Sequence, residues 1–431
     1  MKFVFIDPKG LTSGLNTGLG YLSAVLLKAG HDVKVIDFNN KQGNENSRLS
    51  NCKDADFVGI SIKSFTLDTS LQLIKKIRQI SSAKIIVGGP HITLDGMNFI
   101  KENDVDVCVL GEGEETIKEI AEKNLREIKG IIYREGEKIL TTGMREWITD
   151  IDKIPFPDYS VFDSIKNIKD YPIVTSRGCP YNCTYCSVCN VIGRKWRARS
   201  PENIIEELKE AKRKYNIKEF KVLDDNFTLD LERVKKFCDL LIKENLNLKW
   251  SCPNGIRADR LDMEMLLKMK QSGCYSISLG IESLDEDVFD SINKGEKLDD
   301  IINAIKMIKK AGIEVNGFFI IGLPGSTYEK DKETMKKIKG LGLKYASWGI
   351  LVPYPGTKVW EWLQSEIKNG NAKMLSDWKK GFHIGFRPKP VFETKIYPAK
   401  KMIRAYYIAN IKFLGWKIIP YALKIFFKSL K

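Results

Sequence analysis

An α/β chain is predicted. It has a doubly wound, Rossmann-like N-terminal unit, a partial (βα)6 TIM-like barrel and a helical C-terminal tail. Three observations predict it. Short apolar runs alternate with amphipathic stretches from the first residues onward, as buried parallel strands alternate with crossover helices. The rhythm restarts near Asp170 and repeats six times at spacings that suit βα units. After about Asn369 it stops, and a Lys-rich tail with many large apolar residues follows.

In the first unit, residues 1–145, the expected strands are Phe3–Ile6, Val33–Ile36, Phe57–Ser61, Ile85–Val87 and Val105–Leu110. Leu71–Ile80 is one of the amphipathic stretches between them. Doubly wound sheets bind ligands beyond the carboxyl ends of their strands. Glycines stand there, in Gly88-Gly89-Pro90 and in Gly111-Glu112-Gly113-Glu114. Each reads either as a close approach to a ligand or as a plain tight turn. Residues 128–140 read as a hairpin around Glu135-Gly136. Residues 146–169, with Pro155, Pro157 and Asp158, read as a linker over the surface. The barrel strands expected in 170–369 are Ile173–Thr175, Phe220–Leu223, Leu248–Ser251, Ser276–Leu279, Gly317–Ile321 and Trp348–Val352. Residues 370–431 form a basic, apolar extension.

The 431 residues are 43% hydrophobic and 29% charged, ordinary for a globular protein of two or three domains. The start, MKFVFIDPKG, is a strand running into a turn and not a signal peptide, so a cytoplasmic location is expected. The net charge of +15 is concentrated at the end of the chain, where Lys400–Lys431 holds eight Lys or Arg and no acid. No basic surface argues for nucleic acid.

Of nine cysteines, Cys52, Cys108, Cys238, Cys252 and Cys274 are scattered and read as small core residues. The other four, Cys179, Cys183, Cys186 and Cys189, lie within eleven residues. The first three form C-x-x-x-C-x-x-C on a loop just after a strand. Three thiolates on one loop can hold three irons of a four-iron cluster and leave the fourth iron open. A four-thiolate zinc site that adds Cys189 is a second reading, although structural zinc usually draws two pairs from separate segments. Core cysteines without metal are a third.

At this loop the chain resembles the radical S-adenosylmethionine superfamily, with Tyr185 as the aromatic residue before the last cysteine. The resemblance implies a 4Fe-4S cluster on Cys179, Cys183 and Cys186, and cleavage of S-adenosylmethionine into a radical. Further motifs recur at successive strand ends. Asp224-Asp225-Asn226 stands where the family grips the methionyl amino group, though the common version has two glycines and a glutamate. Asn254 and Arg257 stand near the expected ribose and carboxylate positions. Glu282 and Ser283 follow the fourth strand, Gly322-Leu323-Pro324-Gly325 the fifth, and Pro353-Tyr354-Pro355-Gly356 the sixth.

Ahead of the barrel the chain is similar to the cobalamin-binding domain fused to many members of that superfamily. The implied contacts are Gly20, Ser61, Gly88, Gly89, Gly111 and Glu112. Some cobalamin proteins carry D-x-H-x-x-G, whose His meets cobalt from below. Here Lys9 stands two positions after Asp7, so no such ligand is expected. His31 and His91 read as structural, and His383 has no clear role.

The resemblance implies a cobalamin-dependent enzyme, above all a methyltransferase acting on an unactivated carbon. An oxidative cyclase or rearranging enzyme is the alternative, and a non-catalytic cobalamin-binding regulator the alternative of another class. A methylthiotransferase would need a second cysteine trio upstream, where only Cys52 and Cys108 precede the loop. Expected partners are a small-molecule or lipid substrate and an external electron donor such as a ferredoxin or flavodoxin. In residues 402–431, Lys424, Lys428 and Lys431 share one helical face. That tail suits either packing on the barrel or contact with an anionic membrane surface.

Overall fold

A computed structural model describes residues 1–10, 13–165, 170–381 and 388–414. The N-terminal sheet has seven strands: β1 (Lys2–Asp7), β2 (Asp32–Asp37), β3 (Phe57–Ser61), β4 (Lys84–Gly88), β5 (Val107–Val109), β6 (Ile131–Glu135) and β7 (Lys138–Thr141). Their order is β2-β1-β3-β4-β5-β6-β7. Strands β1 to β5 are parallel, and the β6–β7 hairpin joins antiparallel at the edge. The chain leaves β1 toward β2 on one side and returns to β3 on the other. The crevice between the ends of β1 and β3 is therefore the switch point where such sheets bind ligands.

Helix Thr17–Lys28 begins at this edge, its first turn capped by Asn16, whose side chain accepts from the Leu19 N–H. Helix Pro90–Glu102 begins directly after β4 with Pro90 in its first turn, where a missing N–H does no harm.

The second sheet is parallel throughout. Its strands are Asp170–Ile173, Glu219–Val222, Lys249–Ile256, Cys274–Glu282, Glu314–Ile321 and Tyr345–Ile350. They are hydrogen-bonded in strict chain order from first to last, so the barrel is partial and open between its first and sixth strands. Helices including Pro201–Tyr215, Leu231–Lys243 and Leu298–Lys310 cover the outside with buried Ile, Leu, Val and Phe at helical spacing. One apolar core runs from Phe3 through Tyr159 and Tyr171 into the barrel, and a second fills the other face of the N-terminal sheet.

Two sequence expectations need correction. The first barrel strand ends at Ile173 instead of running to Thr175. The stretch expected to run over the surface is anchored at intervals: Ile151, Tyr159, Phe162 and Ser164 are buried, while Glu146, Asp150, Lys153 and Ser160 between and before them are exposed. Phe162 forms a parallel bridge with Val35 on β2, and Asp163 pairs with Arg48 at 2.7 Å. Its aromatic residues supply apolar surface that a solvent-borne linker would waste. Residues 166–169 of that stretch lie outside the described residues.

The first part of the tail forms helix Ala399–Leu414. Met402, Ala405 and Tyr406 are buried, and the Asn410 amide reaches the Trp348 backbone of the sixth barrel strand. This part of the tail packs on the barrel. The lysine-faced segment Pro420–Lys431 and His383 lie outside the described residues. No helix among the described residues is long and apolar enough to cross a membrane.

Candidate active site

A cavity of about 400 Å³ lies between the carboxyl edge of the N-terminal sheet and the carboxyl end of the first barrel strands. Ser61, Gly88, Gly89 and Gly111 line one wall, and Ser176, Leu223, Asp225 and Asn254 the other. The glycines are needed for shape. Gly89 has φ +102°, and a Cβ there would lie 2.9 Å from the Ile62 carbonyl oxygen.

Gly20, a residue expected to touch cobalamin, does not line this cavity. A Cβ on it would fall 2.6 Å from the Tyr159 ring, so its smallness serves the packing of the 155–162 stretch. Glu112 does line the cavity, but its carboxylate is engaged. It accepts from Arg177 at 2.9 Å, from Arg197 at 2.8 Å and from the Ile148 N–H at 2.8 Å.

The cysteine loop leaves the first barrel strand through the two-residue ribbon Ser176–Arg177, which pairs with Arg197–Ala198. Cys179, Cys183, Cys186 and Cys189 are partly exposed, whereas the five scattered cysteines are buried, as the sequence suggested. Burial pushes the Cys183 thiol up to about 11 and the Cys186 thiol up to about 12. Among the described residues no three metal-ligating side chains converge on one ion-sized point. A four-iron cluster differs from a lone zinc in taking each thiolate on a separate iron.

Charged and aromatic side chains brace this loop. Tyr181 lies 3.4 Å from the Arg257 guanidinium, measured to the ring centre, and its phenol accepts from Arg260 at 3.0 Å. Tyr185 donates to Glu282 at 2.8 Å. Lys294 stands 3.7 Å from Glu282 and 3.0 Å from the buried Glu296.

These contacts redistribute the residues expected around S-adenosylmethionine. Asp224 is buried and fully engaged, accepting from the Thr175 N–H, the Thr175 hydroxyl and the Ser176 hydroxyl at 2.6, 2.5 and 2.6 Å. It holds the start of the cysteine loop and does not line the cavity. Arg257 forks onto Asp259 at 2.8 and 3.0 Å and donates to the Lys294 carbonyl. It therefore braces the loop instead of reaching toward a ligand carboxylate. Ser283 is buried and accepts from the Asp285 N–H at the start of a short helix. Glu282, in the left-handed region at φ +63°, has one oxygen committed to Tyr185.

Asp225 and Asn254 are the expected residues that do face the cavity. Asp225 makes no hydrogen bond or ion pair among the described residues, and the surrounding protein, with Asp224 beside it, pushes its carboxyl up to about 6. Asn254 anchors one amide hydrogen on the Leu223 carbonyl at 2.7 Å. Asn226 is buried with both side-chain polar atoms unpartnered. An unpaired carboxylate on the cavity wall suits a cationic group of a ligand, whereas Asn226 does not line the cavity.

Sequence reasoning missed Arg177, Arg197, Lys294 and Trp147. A Cβ on Gly193 would lie 2.8 Å from the Trp147 ring, which wedges the linker against the loop after the cysteines. Arg177 and Arg197 flank a legible motif, but their carboxylate partners lie 63 to 85 residues away.

Comparison with known proteins bears on this geometry. Residues 173–338 match the model of the radical SAM superfamily, and residues 11–121 match that of the B12 binding domain. The chain belongs to the cobalamin-binding radical S-adenosylmethionine enzymes. It is 33% identical over 414 residues to an uncharacterized methyltransferase, PH0819, of Pyrococcus horikoshii, covering 92% of this chain and 88% of that one. It is 24% identical to the anaerobic magnesium-protoporphyrin IX monomethyl ester cyclase of Cereibacter sphaeroides, covering 85% of this chain and 64% of that one. The radical S-adenosylmethionine methyltransferase TsrM of Kitasatospora setae, solved with cobalamin and a [4Fe-4S] cluster, superposes with a TM-score of 0.72 at 14% identity. That match covers 87% of this chain and 77% of TsrM, and shows that the fold is shared. The cofactors of this enzyme family are a 4Fe-4S cluster, S-adenosylmethionine and cobalamin.

Proposed function

We propose that this enzyme methylates an unactivated carbon of a small molecule inside the cavity between its two sheets. The observation that carries this reading is the cavity itself. One wall comes from the B12-binding unit at its switch point, and the other from Ser176, Arg177, Val191 and Ile192, which flank the cysteines, and from the ends of the barrel strands. A methyl donor and a radical generator must face one substrate, and a cavity shared by the two units provides that.

When bound, the reduced cluster supplies the electron that breaks a carbon–sulfur bond of S-adenosylmethionine, and cobalamin supplies the transferred methyl group. The residues of the chain do the rest. Cys179, Cys183 and Cys186 hold the cluster, and Cys189 is not needed for it. Asp225 accepts from the ammonium of S-adenosylmethionine, with Asn254 beside it for the ribose. Ser61 and the backbone at Gly88, Gly89 and Gly111 cradle cobalamin. Tyr181 and Tyr185, held by Arg257 and Glu282, keep the cysteine loop in one shape. The remaining cysteines are buried and scattered, so the electron comes from outside, from a ferredoxin or flavodoxin.

The likeness to a cyclase favours a second reading, in which the same radical chemistry closes a ring without net methyl transfer. Anaerobic incubation of the loaded enzyme with cell extract and methyl-labelled S-adenosylmethionine separates the two. Label in a new carbon–carbon bond supports methylation. A product lighter by two hydrogens and without label supports cyclisation. Contact between Pro420–Lys431 and an anionic membrane is proposed from the sequence alone. Co-sedimentation with anionic vesicles, comparing the full chain with one ending at Leu414, tests it: equal and negligible binding would remove it.

A further inference from the structure

Four buried charges join the 111–114 loop of the B12-binding unit to the cysteine loop of the barrel. Arg177 donates to Glu112 at 2.9 Å and to Glu114 at 2.6 Å. Arg197 donates to Glu112 at 2.8 Å and to the carbonyls of Ile148 and Ile192 at 2.7 and 3.0 Å. None of the four side chains is more than 11% exposed. The set is electrically balanced. Burial alone would raise the Glu114 carboxyl, but the Arg177 guanidinium beside it holds it below the usual carboxylate range.

Stability does not explain why charges stand here. Taking ions out of water costs so much that an apolar contact of similar volume commonly does as well. What the ions add is direction. A guanidinium is a rigid fork, and here its two arms end on two carboxylates that flank Gly113. Arg177 also stands 5.1 Å from the centre of the Tyr21 ring, on the helix that opens at the same edge. It lies two residues before Cys179 in the chain, while Gly111, Glu112, Gly113 and Glu114 all line the cavity.

We propose that Arg177 is a positioning residue: it ties the cysteine loop to the 111–114 loop of the facing wall, so that the two cofactor surfaces keep a single spacing across the cavity. This rests on the reading of the cavity given above. Its consequence is that one substitution disturbs two sites that share no ligand.

The test uses the full chain, reconstituted anaerobically with iron and sulfide, with two measurements on each variant. One is the affinity for hydroxocobalamin from its absorbance change. The other is the paramagnetic resonance spectrum of the reduced cluster with S-adenosylmethionine present. Arg177→Gln should weaken hydroxocobalamin at least ten-fold and also shift or broaden the cluster signal at unchanged iron content. Arg177→Lys keeps the charge but loses the fork, and should fall between it and the parent. Arg126→Gln, which removes an exposed pair with Glu135, should change neither. If Arg177→Gln does not fold, Glu114→Gln carries the same two measurements with the same expected directions. Two unchanged readings, or a change confined to one of the two sites, would overturn the proposal. Parent protein that takes up no cobalamin would overturn the cavity reading and this proposal with it, and that result appears before any variant is made.

Discussion

Asp224 accepts both the backbone N–H and the hydroxyl of Thr175, at 2.6 and 2.5 Å, four residues ahead of Cys179. Asp225, the next residue, makes no hydrogen bond to the loop and faces the cavity. The two carboxylates therefore part company in what their loss should do.

Asp224→Ala leaves two or three buried donors without an acceptor, at about 1–3 kcal/mol each. The variant should melt lower and bind less iron after reconstitution. Asp225→Asn should keep the parent's melting temperature and iron content, yet bind S-adenosylmethionine at least ten-fold more weakly. Iron analysis, thermal unfolding and a binding titration on both variants check the split. Equal loss of iron in the two would contradict it.

Cobalamin should bind with no protein imidazole on the cobalt. Among the described residues, His31 packs against the Phe3 ring and His91 lies between Phe99 and Trp378, its Nδ1 3.1 Å from the Ser64 hydroxyl. Neither lines the cavity. The cobalt(II) form should show no nitrogen hyperfine splitting from a histidine. A splitting lost on substituting a histidine would contradict this.

His91 should make stability depend on pH. Burial lowers its pKa from 6.5 to about 4. Between those values the unfolded chain holds a proton that the folded chain lacks. The contribution is complete above pH 6.5 and is lost as pH falls toward 4, in total about 3 kcal/mol. Urea unfolding of the parent and His91→Gln at pH 7.5 and pH 5 should show the parent's advantage shrinking at the lower pH.

Asp331 should act with the opposite sign. It accepts from Tyr397 at 2.7 Å and Ser326 at 2.8 Å, tying the C-terminal extension to the barrel, and burial pushes its carboxyl up to about 7. The folded chain then holds the extra proton between about 4 and 7, and stability is lost as pH rises through that window. The parent's advantage over Asp331→Asn should shrink by roughly 1 kcal/mol or more between pH 5 and pH 8, again by urea unfolding.

Strand positions were legible because buried parallel strands are short apolar runs, and β3 matches the expected Phe57–Ser61 at both ends. The first barrel strand was misplaced for a physical reason. It is an edge strand, paired on one side only, and it tolerates Pro172, so its apolar signal is weak. The cysteine spacing was legible because three ligands on one loop must be close in sequence. The duties of Asp224, Arg257 and Glu112 were not, because a motif shows which polar residues stand at a strand end but not which way they turn. Asp224 turns inward to Thr175, Arg257 to Asp259, and Glu112 across to Arg177 and Arg197. Only folding brings Asp224 and Glu112 to their partners, whereas Asp259 is two residues from Arg257 in the chain.

Reductive cleavage of S-adenosylmethionine by the reconstituted enzyme tests the central claim most directly. The parent and Cys189→Ala should release 5′-deoxyadenosine at similar rates under a low-potential reductant without oxygen. Cys179→Ala, Cys183→Ala and Cys186→Ala should each release none. Full cleavage by Cys183→Ala would contradict the account.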